Sequence, residues 1–367
     1  MLQEFFPLII SAALRARVRH FNELSNMRAA VLYGKEDLRV EEFPERKLEA
    51  GEVRVAIRAA LTCGTDLKVY KRGYHARMIV PPAVFGHELA GEIVEIGPGV
   101  TQWNPGNRVV AANSAPCGVC FYCHSERPNL CDDLLFLNGA YAERIVVPRR
   151  IVEKNLLRLK NETSFRDAAL TEPLACVVQG INETQLKKAQ TLLILGAGPI
   201  GLMFAAIAHQ IGCSVAVVGK GEKRLAMAKS LGASAIYSPS QIQAFIQQPE
   251  TRPDFDVVIE AVGKPETWEQ AVVLVRKGGV VNLFGGCPSG SKAQIDTSLM
   301  HYQSLRILAS FHHTPATIRA ALAFIEEGLI TARDFANDSC ALSQLPALFA
   351  QMTRENKAIK TFIDVAA

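Results

Sequence analysis

The sequence predicts a two-domain α/β protein, with a β-rich, barrel-like domain followed by a doubly wound domain built on a parallel sheet. The chain of 367 residues is long enough for about two hydrophobic cores. Over residues 27–152, short apolar segments such as EVRVAIRAAL alternate with Gly, Pro and Asn, which is typical of an all-β domain. Further on, apolar strands alternate with helices of about ten to fifteen residues, which indicates βαβ units and a parallel sheet.

The change of pattern predicts domain boundaries near residues 175 and 311. Residues 27–175 and 311–367 are assigned to the β-rich domain, because the final segment KAIKTFIDV is predicted to be a strand that can return to it. Residues 176–310 are assigned to the parallel-sheet domain.

Residues 1–26 are interpreted as an N-terminal extension, with a surface amphipathic helix or a partner-binding arm as the alternative. Its apolar run, Phe5 to Leu14, precedes the basic residues instead of following them, unlike a secretory signal. The run is also too short to span a bilayer.

Composition excludes several function classes. Lys and Arg number 40 against 36 Asp and Glu, and the net charge of +4 is too small to favour nucleic acid or an anionic membrane as a partner. Without an export signal, the expected location is the cytoplasm, where stable disulfides are rare.

Four of the nine cysteines lie within the short stretch PCGVCFYCHSERPNLC, as Cys117, Cys120, Cys123 and Cys131. Three interpretations compete: a pair of disulfides, a redox Cys-x-x-Cys, or a closed metal cage. The cytoplasmic location disfavours the first. Four thiolates would fill the tetrahedral shell of a zinc ion and leave no position for chemistry.

A glycine loop follows the apolar strand TLLIL and opens a long apolar helix; it consists of Gly196, Ala197, Gly198, Pro199, Ile200 and Gly201. In this strand–turn–helix context, Gly-x-Gly-x-x-Gly predicts a dinucleotide site. The first glycine permits the turn, the second admits the pyrophosphate, and the third lets helix and strand pack closely. The pyrophosphate would lie on the helix N-terminus.

The end of the next strand bears on which dinucleotide is bound. An acidic residue there would hold the adenosine ribose of NAD, but Gly219 occupies this position and is followed by Lys220, Lys223 and Arg224. The absence of a carboxylate and the nearby cations favour NADP. Glu222 is the argument for NAD, because a shifted loop could bring it to the ribose.

A second set of metal ligands is spread along the chain. Cys63 lies in LTCGTDLKVY, His87 and Glu88 lie in VFGHELAGE, and Glu172 lies in LTEPLAC. Thiolate, imidazole and carboxylate together suit a zinc ion that keeps one exchangeable position.

The motifs CGTD, GHE, the four-cysteine segment, EPLAC and GAGPIG, in this order, resemble the zinc-dependent medium-chain dehydrogenase/reductase family, and in particular its polyol (sorbitol-type) and threonine dehydrogenase branch. The resemblance covers Met27 to the C-terminus. It implies a GroES-like catalytic domain joined to a Rossmann domain, and a homodimer or homotetramer. It further implies two zinc ions per subunit: a catalytic one, and a structural one held by the cysteine lobe at residues 112–133.

The resemblance also implies roles around the catalytic zinc, which would act as a Lewis acid on the substrate oxygen while a hydride passes to the nicotinamide. Glu88 would be a ligand or exchange with water, and Glu172 would bind directly or through water. Thr65 matches the hydroxyl of a proton relay, and Asp66 matches the carboxylate that orients the His87 ring. Lys68 stands where many relatives carry a histidine, so the last relay step departs from the family.

The predicted function is therefore oxidation or reduction between a secondary alcohol (a polyol, sugar alcohol or amino alcohol) and its carbonyl form. Two alternatives stand beside it. A zinc-free quinone or enoyl reductase of the same fold would lack Cys63, His87 and the cysteine cage. A non-catalytic NADPH-binding regulatory protein would have no need of the complete ligand set.

Overall fold

The computed structural model of the protein describes residues 26–75, 77–336, 338–355 and 358–367. The first half contains mainly strands. They are β1 (Asn26–Gly34), β2 (Asp37–Pro44), β3 (Val53–Leu61), β4 (Ala83–Val84), β5 (Glu88–Ile96), β6 (Arg108–Ala111), β7 (Ser114–Ala115), β8 (Leu135–Phe136), β9 (Arg144–Val147) and β10 (Leu156–Arg158). The predicted extension at residues 1–26 lies outside the described residues except for Asn26.

Five helices accompany these strands in the described chain: α1 (Gly64–Arg72), α2 (Phe121–His124), α3 (Arg149–Lys154), α4 (Phe165–Ala168) and α5 (Thr171–Thr184). The largest sheet of this half runs in the order β10-β6-β5-β3, and β9 also pairs with β3. β1 pairs with β2 and β4 in a separate small sheet. The alternation of apolar and turn residues thus forms the predicted β-rich domain.

Helix α1 corrects the all-β prediction for this half. Its buried residues Asp66, Val69 and Tyr70 have the i, i+3, i+4 spacing of one helix face. Gly73 ends the helix with a φ of 93°, a left-handed conformation that favours glycine. The helix signal is short and follows an apolar strand directly, which conceals it in the sequence.

The second half contains β11 (Thr191–Leu195), β12 (Ser214–Val218), β13 (Ala235–Tyr237), β14 (Phe255–Glu260), β15 (Val275–Leu283) and β16 (Arg306–Leu308). Helices α6 (Pro199–Ile211), α7 (Glu222–Ser230), α8 (Pro239–Gln247), α9 (Pro265–Leu274) and α10 (Thr297–Tyr302) connect them. All neighbouring strands are parallel, in the order β13-β12-β11-β14-β15-β16. This is the 3-2-1-4-5-6 order of a Rossmann fold, so the predicted doubly wound sheet is confirmed.

The last segment crosses back to the first sheet. It contains α11 (Pro315–Glu326), α12 (Ala332–Phe335), β17 (Asp338–Ala341), α13 (Leu345–Arg354) and β18 (Thr361–Asp364). β18 runs antiparallel to β3, with Phe362 opposite Leu61. On the other side of β3, Glu88 of β5 lies opposite the same Leu61. The chain end therefore lies next to the start of β5, where the candidate ligand Glu88 is located.

The hydrophobic core is continuous between the two sheets. One cluster of buried side chains includes Leu61 of β3, Leu174 of α5, Phe204 of α6, Ile318 of α11 and Phe362 of β18. Helix α5 packs on α11 and on α6, so the helix that carries Glu172 is fixed between the two halves. No described helix combines the length and the apolar character needed to cross a bilayer.

Candidate metal and cofactor site

Cys63 lies at the junction of β3 and α1. It is the N-cap residue of α1, and its Sγ accepts a hydrogen bond from the Thr65 backbone N–H at 3.4 Å. Cysteine binds a metal through its sulfur, and this N–H is a hydrogen-bond donor to that atom. The local sequence thus places a potential metal-binding sulfur just after the end of a buried strand.

His87 immediately precedes β5 and is buried. Its Nδ1 lies 2.9 Å from Oδ1 of Asp66, and the other oxygen of Asp66 lies 2.6 Å from the Tyr141 hydroxyl. Asp66 and Tyr141 are both fully buried. A carboxylate on Nδ1 fixes the tautomer in which Nε2 carries the lone pair, the arrangement typical of a metal-binding histidine. The contact predicted between Asp66 and His87 is present, whereas Tyr141 was not identified from the sequence.

Glu88 is close to both ligands but already has a partner. One donor atom each from Cys63, His87 and Glu88 lie within 4.8 Å of one another. Both carboxylate oxygens of Glu88 also accept hydrogen bonds from the Lys360 ammonium, at 2.6 and 2.5 Å. Burial disfavours the charged form of the ammonium, but the attraction of the Glu88 carboxylate is larger than this cost. The pKa of Lys360 is therefore raised. Lys360, which the sequence analysis missed, precedes the strand that pairs with β3.

Glu172, in the first turn of α5, is also buried. Burial raises the pKa of its carboxyl to about 7. The Cys176 thiol makes a long contact of 3.9 Å with its carboxylate. Its carboxylate and the rings of His312 and His313 each place a donor atom within 4.8 Å of the others.

The two histidine rings are nearly face to face, with centroids 4.0 Å apart and an interplanar angle of 32°. An imidazole binds a metal in the plane of its ring, so this geometry does not suit one ion shared by His312 and His313. Burial lowers the pKa of His312 to about 3 and that of His313 well below its usual value, which leaves both rings neutral. They are therefore neutral polar groups that line the site beside Glu172.

The four sulfurs of Cys117, Cys120, Cys123 and Cys131 form a compact cluster with separations of 3.6, 3.8 and 3.9 Å between neighbouring pairs. All nine cysteines of the chain are free thiols. A tetrahedral zinc with Zn–S bonds of about 2.3 Å places its sulfurs about 3.8 Å apart. The cluster thus fits the predicted structural zinc better than a disulfide.

Backbone groups donate hydrogen bonds to this cluster, in which burial raises the pKa of Cys131 to about 12. The N–H groups of Cys117, Gly118 and Val119 donate to sulfurs at 3.2–3.4 Å. Backbone N–H groups, first that of Asp132, lower the pKa of Cys120 to about 6. Charge-assisted bonds of this kind stabilise thiolates that coordinate a metal.

The glycine loop has the shape that a dinucleotide requires. A Cβ on Gly201 would clash with the Gly196 carbonyl oxygen, so the start of the helix packs on the turn too closely for any side chain. A Cβ on Gly198 would meet no protein atom within 4 Å, which leaves open space at the start of α6. Pro199 and Ile200 form the first residues of that helix. The loop therefore has an open cradle where the pyrophosphate is expected.

Residues at the end of β12 and start of α7 surround the expected adenosine end. A Cβ on Gly219 would lie 2.4 Å from the Ala197 side chain, which explains glycine there. Lys220 is exposed, as are Glu222 and Lys223. The guanidinium of Arg224 donates to the Ala358 carbonyl at 2.8 Å, across to the returning chain.

Lys68 is exposed on α1, and its ammonium donates to the Gly286 carbonyl at 3.1 Å. The contact joins the β-rich half to the loop after β15. Thr65 lies half-buried one turn earlier on the same helix, beside Cys63. The structure thus brings Thr65 to the metal ligands and directs Lys68 towards the parallel-sheet half.

Two family descriptions match the chain: "Alcohol dehydrogenase GroES-like domain" over residues 49–156 and "Zinc-binding dehydrogenase" over residues 199–327. A D-altritol 5-dehydrogenase of Agrobacterium fabrum is 31% identical over 87% of this chain and 94% of its own. The chain belongs to the zinc-dependent medium-chain dehydrogenase family. A sorbitol dehydrogenase of Bacillus subtilis is 29% identical over 92% of this chain and 97% of its own, which places the protein in the polyol branch.

Solved structures of the family agree. A Sinorhizobium meliloti protein described as a zinc-binding dehydrogenase and bound to NADP is 28% identical, covers 93% of this chain and 99% of its own, and superposes with a TM-score of 0.85. As a member of this family, the protein is an oxidoreductase that acts on the CH–OH group of an alcohol. The predicted GroES-like and Rossmann folds are confirmed, and the zinc-free reductase and the regulatory protein are not favoured.

Proposed function

We propose that the protein is a zinc-dependent, NADP-linked dehydrogenase of hydroxyl-rich alcohols: a polyol, a sugar alcohol or an amino alcohol. The observation that carries the proposal is the buried chain Tyr141–Asp66–His87 beside the Cys63 thiol. Such support of a histidine is what a metal ligand requires. Similarity to sorbitol, D-altritol and L-threonine dehydrogenases supports the substrate class.

Cys63, His87 and one carboxylate would hold the catalytic zinc, because thiolate, imidazole and carboxylate leave a fourth position for the substrate. When bound, the zinc supplies Lewis-acid chemistry that favours loss of the alcohol proton. The chain's own residues hold the ligands in place: Asp66 orients the His87 ring, and the Thr65 backbone N–H at the start of α1 donates to the Cys63 sulfur.

Two observations bear on which carboxylate is the third ligand. Distance favours Glu88, whereas its buried pairing with Lys360 keeps both of its oxygens engaged. The described contacts of Glu172 include no hydrogen-bonded cation comparable to Lys360, and burial raises the pKa of its carboxyl to about 7 although His87 and Lys360 act in the opposite direction. We therefore assign Glu172 as the ligand, with Glu88 held by Lys360.

Metal content separates the two assignments. Glu172→Gln should reduce the zinc content of purified protein from two ions per chain to about one, because the cysteine cage stays intact. Glu88→Gln should keep two zinc ions and lose stability through the unpaired Lys360. The reverse pattern would make Glu88 the ligand.

The alcohol proton leaves through Thr65, which lies two residues after Cys63 on the same helix. Positioned proton transfer contributes about a hundredfold or more to turnover, so Thr65→Val should lower kcat by at least that factor. The contact of Lys68 with Gly286 supports proton exit through water or a ribose hydroxyl instead of through the lysine.

The preference for NADP rests on Gly219, which leaves the end of β12 without a carboxylate, and on the exposed cations Lys220 and Lys223. The similar Sinorhizobium meliloti protein bound to NADP supports it. Arg224 would contribute only by exchanging its contact with Ala358 for the 2′-phosphate.

The test is a steady-state screen of polyols, sugar alcohols and amino alcohols with NADP⁺ and with NAD⁺, on protein that contains two zinc ions per chain. We expect turnover of at least one class and a higher kcat/KM with NADP⁺. Preference for NAD⁺ would overturn the cofactor assignment alone. No turnover of any alcohol by fully loaded protein would overturn the function.

Three further assignments belong to this proposal. The β-rich domain comprises residues 27–175 and 311–367, and the Rossmann domain comprises residues 176–310. The protein acts in the cytoplasm as a homodimer or homotetramer, which sedimentation of the purified protein would test.

A further inference from the structure

The segment after β16 holds the histidine pair in an uncommon backbone conformation. His312 has a φ of 63°, in the left-handed region that non-glycine residues rarely adopt. Such a conformation persists only where surrounding contacts impose it, and it occurs preferentially at functional sites. The contacts that impose it come from the four-cysteine lobe, residues 112–133.

Three consecutive residues of the segment are each bound by a lobe side chain. Asn129 donates through Nδ2 to the Phe311 carbonyl at 3.0 Å. The Ser114 hydroxyl lies 2.6 Å from Nε2 of His312. Oδ1 of Asn113 lies 2.8 Å from Nε2 of His313. These partners are 182 to 200 positions apart in the sequence.

The N-terminal end of the lobe is itself anchored to neighbouring segments. The backbone of Asn113 accepts a bond from Leu137 at 2.7 Å, and that of Ser114 accepts one from Asn155 at 2.6 Å. Asn129 lies between Cys123 and Cys131 of the cage and is buried. Asn129 is therefore held within the cage, while Asn113 and Ser114 are held by Leu137 and Asn155 just before it.

The contact with Asn113 determines which nitrogen of His313 carries the proton. Oδ1 of an asparagine can only accept, so Nε2 of His313 must donate and Nδ1 must carry the lone pair. Within the described structure, this Nδ1 is buried without a hydrogen-bond partner, although a buried polar atom is normally satisfied. The ring lies beside Glu172, so the unmatched acceptor belongs to the site described above.

We propose that Asn113 is a positioning residue that holds His313 in the Nε2–H tautomer, and that the four-cysteine lobe thereby sets the geometry of the substrate side of the site. The lobe then has two functions, stability of its own fold and support of the histidine pair. A hydroxyl group that enters the site as a donor meets the lone pair of His313 only while Asn113 holds that tautomer.

The direct test is the tautomer of His313, measured by long-range ¹H–¹⁵N NMR on protein labelled with ¹⁵N-histidine and assigned with His313→Phe. We expect an unprotonated Nδ1 in the wild type, and a mixture of tautomers in Asn113→Leu, which is similar in size but has no acceptor. Asn161→Leu, at an exposed position, is the matched control and should leave the signal unchanged. A wild-type signal from protonated Nδ1, or no change in Asn113→Leu, would overturn the proposal.

A kinetic cycle tests whether Asn113 acts through His313. Loss of one hydrogen bond should raise KM about three- to tenfold in Asn113→Leu, with little effect on kcat. In the His313→Phe background Asn113→Leu should not raise KM further, because the hydrogen bond between the two residues is already absent. Additive effects would mean that Asn113 does not act through His313. The NMR result does not depend on turnover, so failure of the proposed function would not be mistaken for failure here.

The contribution of the lobe is tested with Asn129→Ala, which keeps all four cysteines. Release of the Phe311 carbonyl should shift or broaden the His312 and His313 signals while the metal content of the cage stays unchanged. Cys131→Ser, which removes one sulfur of the cage, should produce a larger change of the same kind, and Cys213→Ser is its control. Unchanged histidine signals in Asn129→Ala would limit the lobe to its own fold and overturn this part.

Discussion

The buried pair of Glu88 and Lys360 permits the most quantitative prediction. Their side chains are 0% and 2% exposed, and the ammonium also donates to the Thr62 carbonyl at 3.1 Å. Removal of one partner from a buried ion pair costs about 3–5 kcal/mol, because the other charge stays buried without compensation. Lys360→Met should therefore destabilise the junction of β3, β5 and β18 by about that amount.

The assay is hydrogen exchange of the β18 amides, which reports local opening of this strand. Since about 1.4 kcal/mol corresponds to a factor of ten, exchange in Lys360→Met should be roughly 10²- to 4 × 10³-fold faster than in the wild type. Lys71→Met is the matched control, because Lys71 is exposed and its contact in the described structure is with the Thr353 carbonyl, at 3.3 Å.

The double variant Lys360→Met/Glu88→Gln completes the cycle. It removes both charges, so it should be considerably more stable than Lys360→Met alone. If the single variant exchanges like Lys71→Met, or if the double variant shows the sum of the two single effects, the pair does not stabilise the junction as argued.

Three further predictions concern the zinc site, the glycine loop and an acidic residue of the Rossmann sheet. Tyr141→Phe should weaken binding of the catalytic zinc by about 10- to 100-fold in competition with a chelator, because the Asp66 carboxylate that orients His87 loses a hydrogen-bond donor. Unchanged zinc affinity would show that Tyr141 does not support the histidine ligand. Gly198→Ala should have the melting temperature of the wild type but bind dinucleotide at least about tenfold more weakly in a fluorescence titration. Gly201→Ala should weaken binding and also lower the melting temperature, because its Cβ would clash with the Gly196 backbone. Asp256 is partly buried, which opposes ionisation, yet the N–H of Thr191 and the guanidinium of Arg276 lower its pKa below 3.8. Its stabilisation is therefore present at neutral pH and lost as the pH falls below about 4; Asp256→Asn should lower the melting temperature at pH 7, and this difference from the wild type should shrink in acid.

The fold and most candidate ligands follow from the sequence because their signals are local. The glycine loop, the strand before it and the helix after it are contiguous, and so are the four cysteines of the cage. Cys63 and His87 look ordinary one at a time, and the ordered set of motifs identifies them jointly. A contiguous motif carries its own geometry, so a single sequence is sufficient to predict it.

The partners of these ligands do not have local signals. Tyr141 lies 75 positions from Asp66, and Lys360 lies 272 positions from Glu88. Glu88 and Lys360 meet because β5 and β18 flank β3 on opposite sides at Leu61. A tyrosine in a loop and a lysine before a C-terminal strand look ordinary in the sequence, and only strand pairing gives them a role.

Lys68 and Arg224 show how the same topology changes the interpretation of a motif. Both are predicted to serve chemistry or cofactor binding, and in the structure both donate to carbonyl groups across the two halves of the chain, at Gly286 and Ala358. A neutral carbonyl is a weaker partner for a cation than a phosphate group. A bound dinucleotide that drew Arg224 away from Ala358 would therefore gain a charged hydrogen bond and release one link between the returning chain and helix α7. Cofactor binding and the contact between the two halves are coupled to the extent that they compete for this guanidinium.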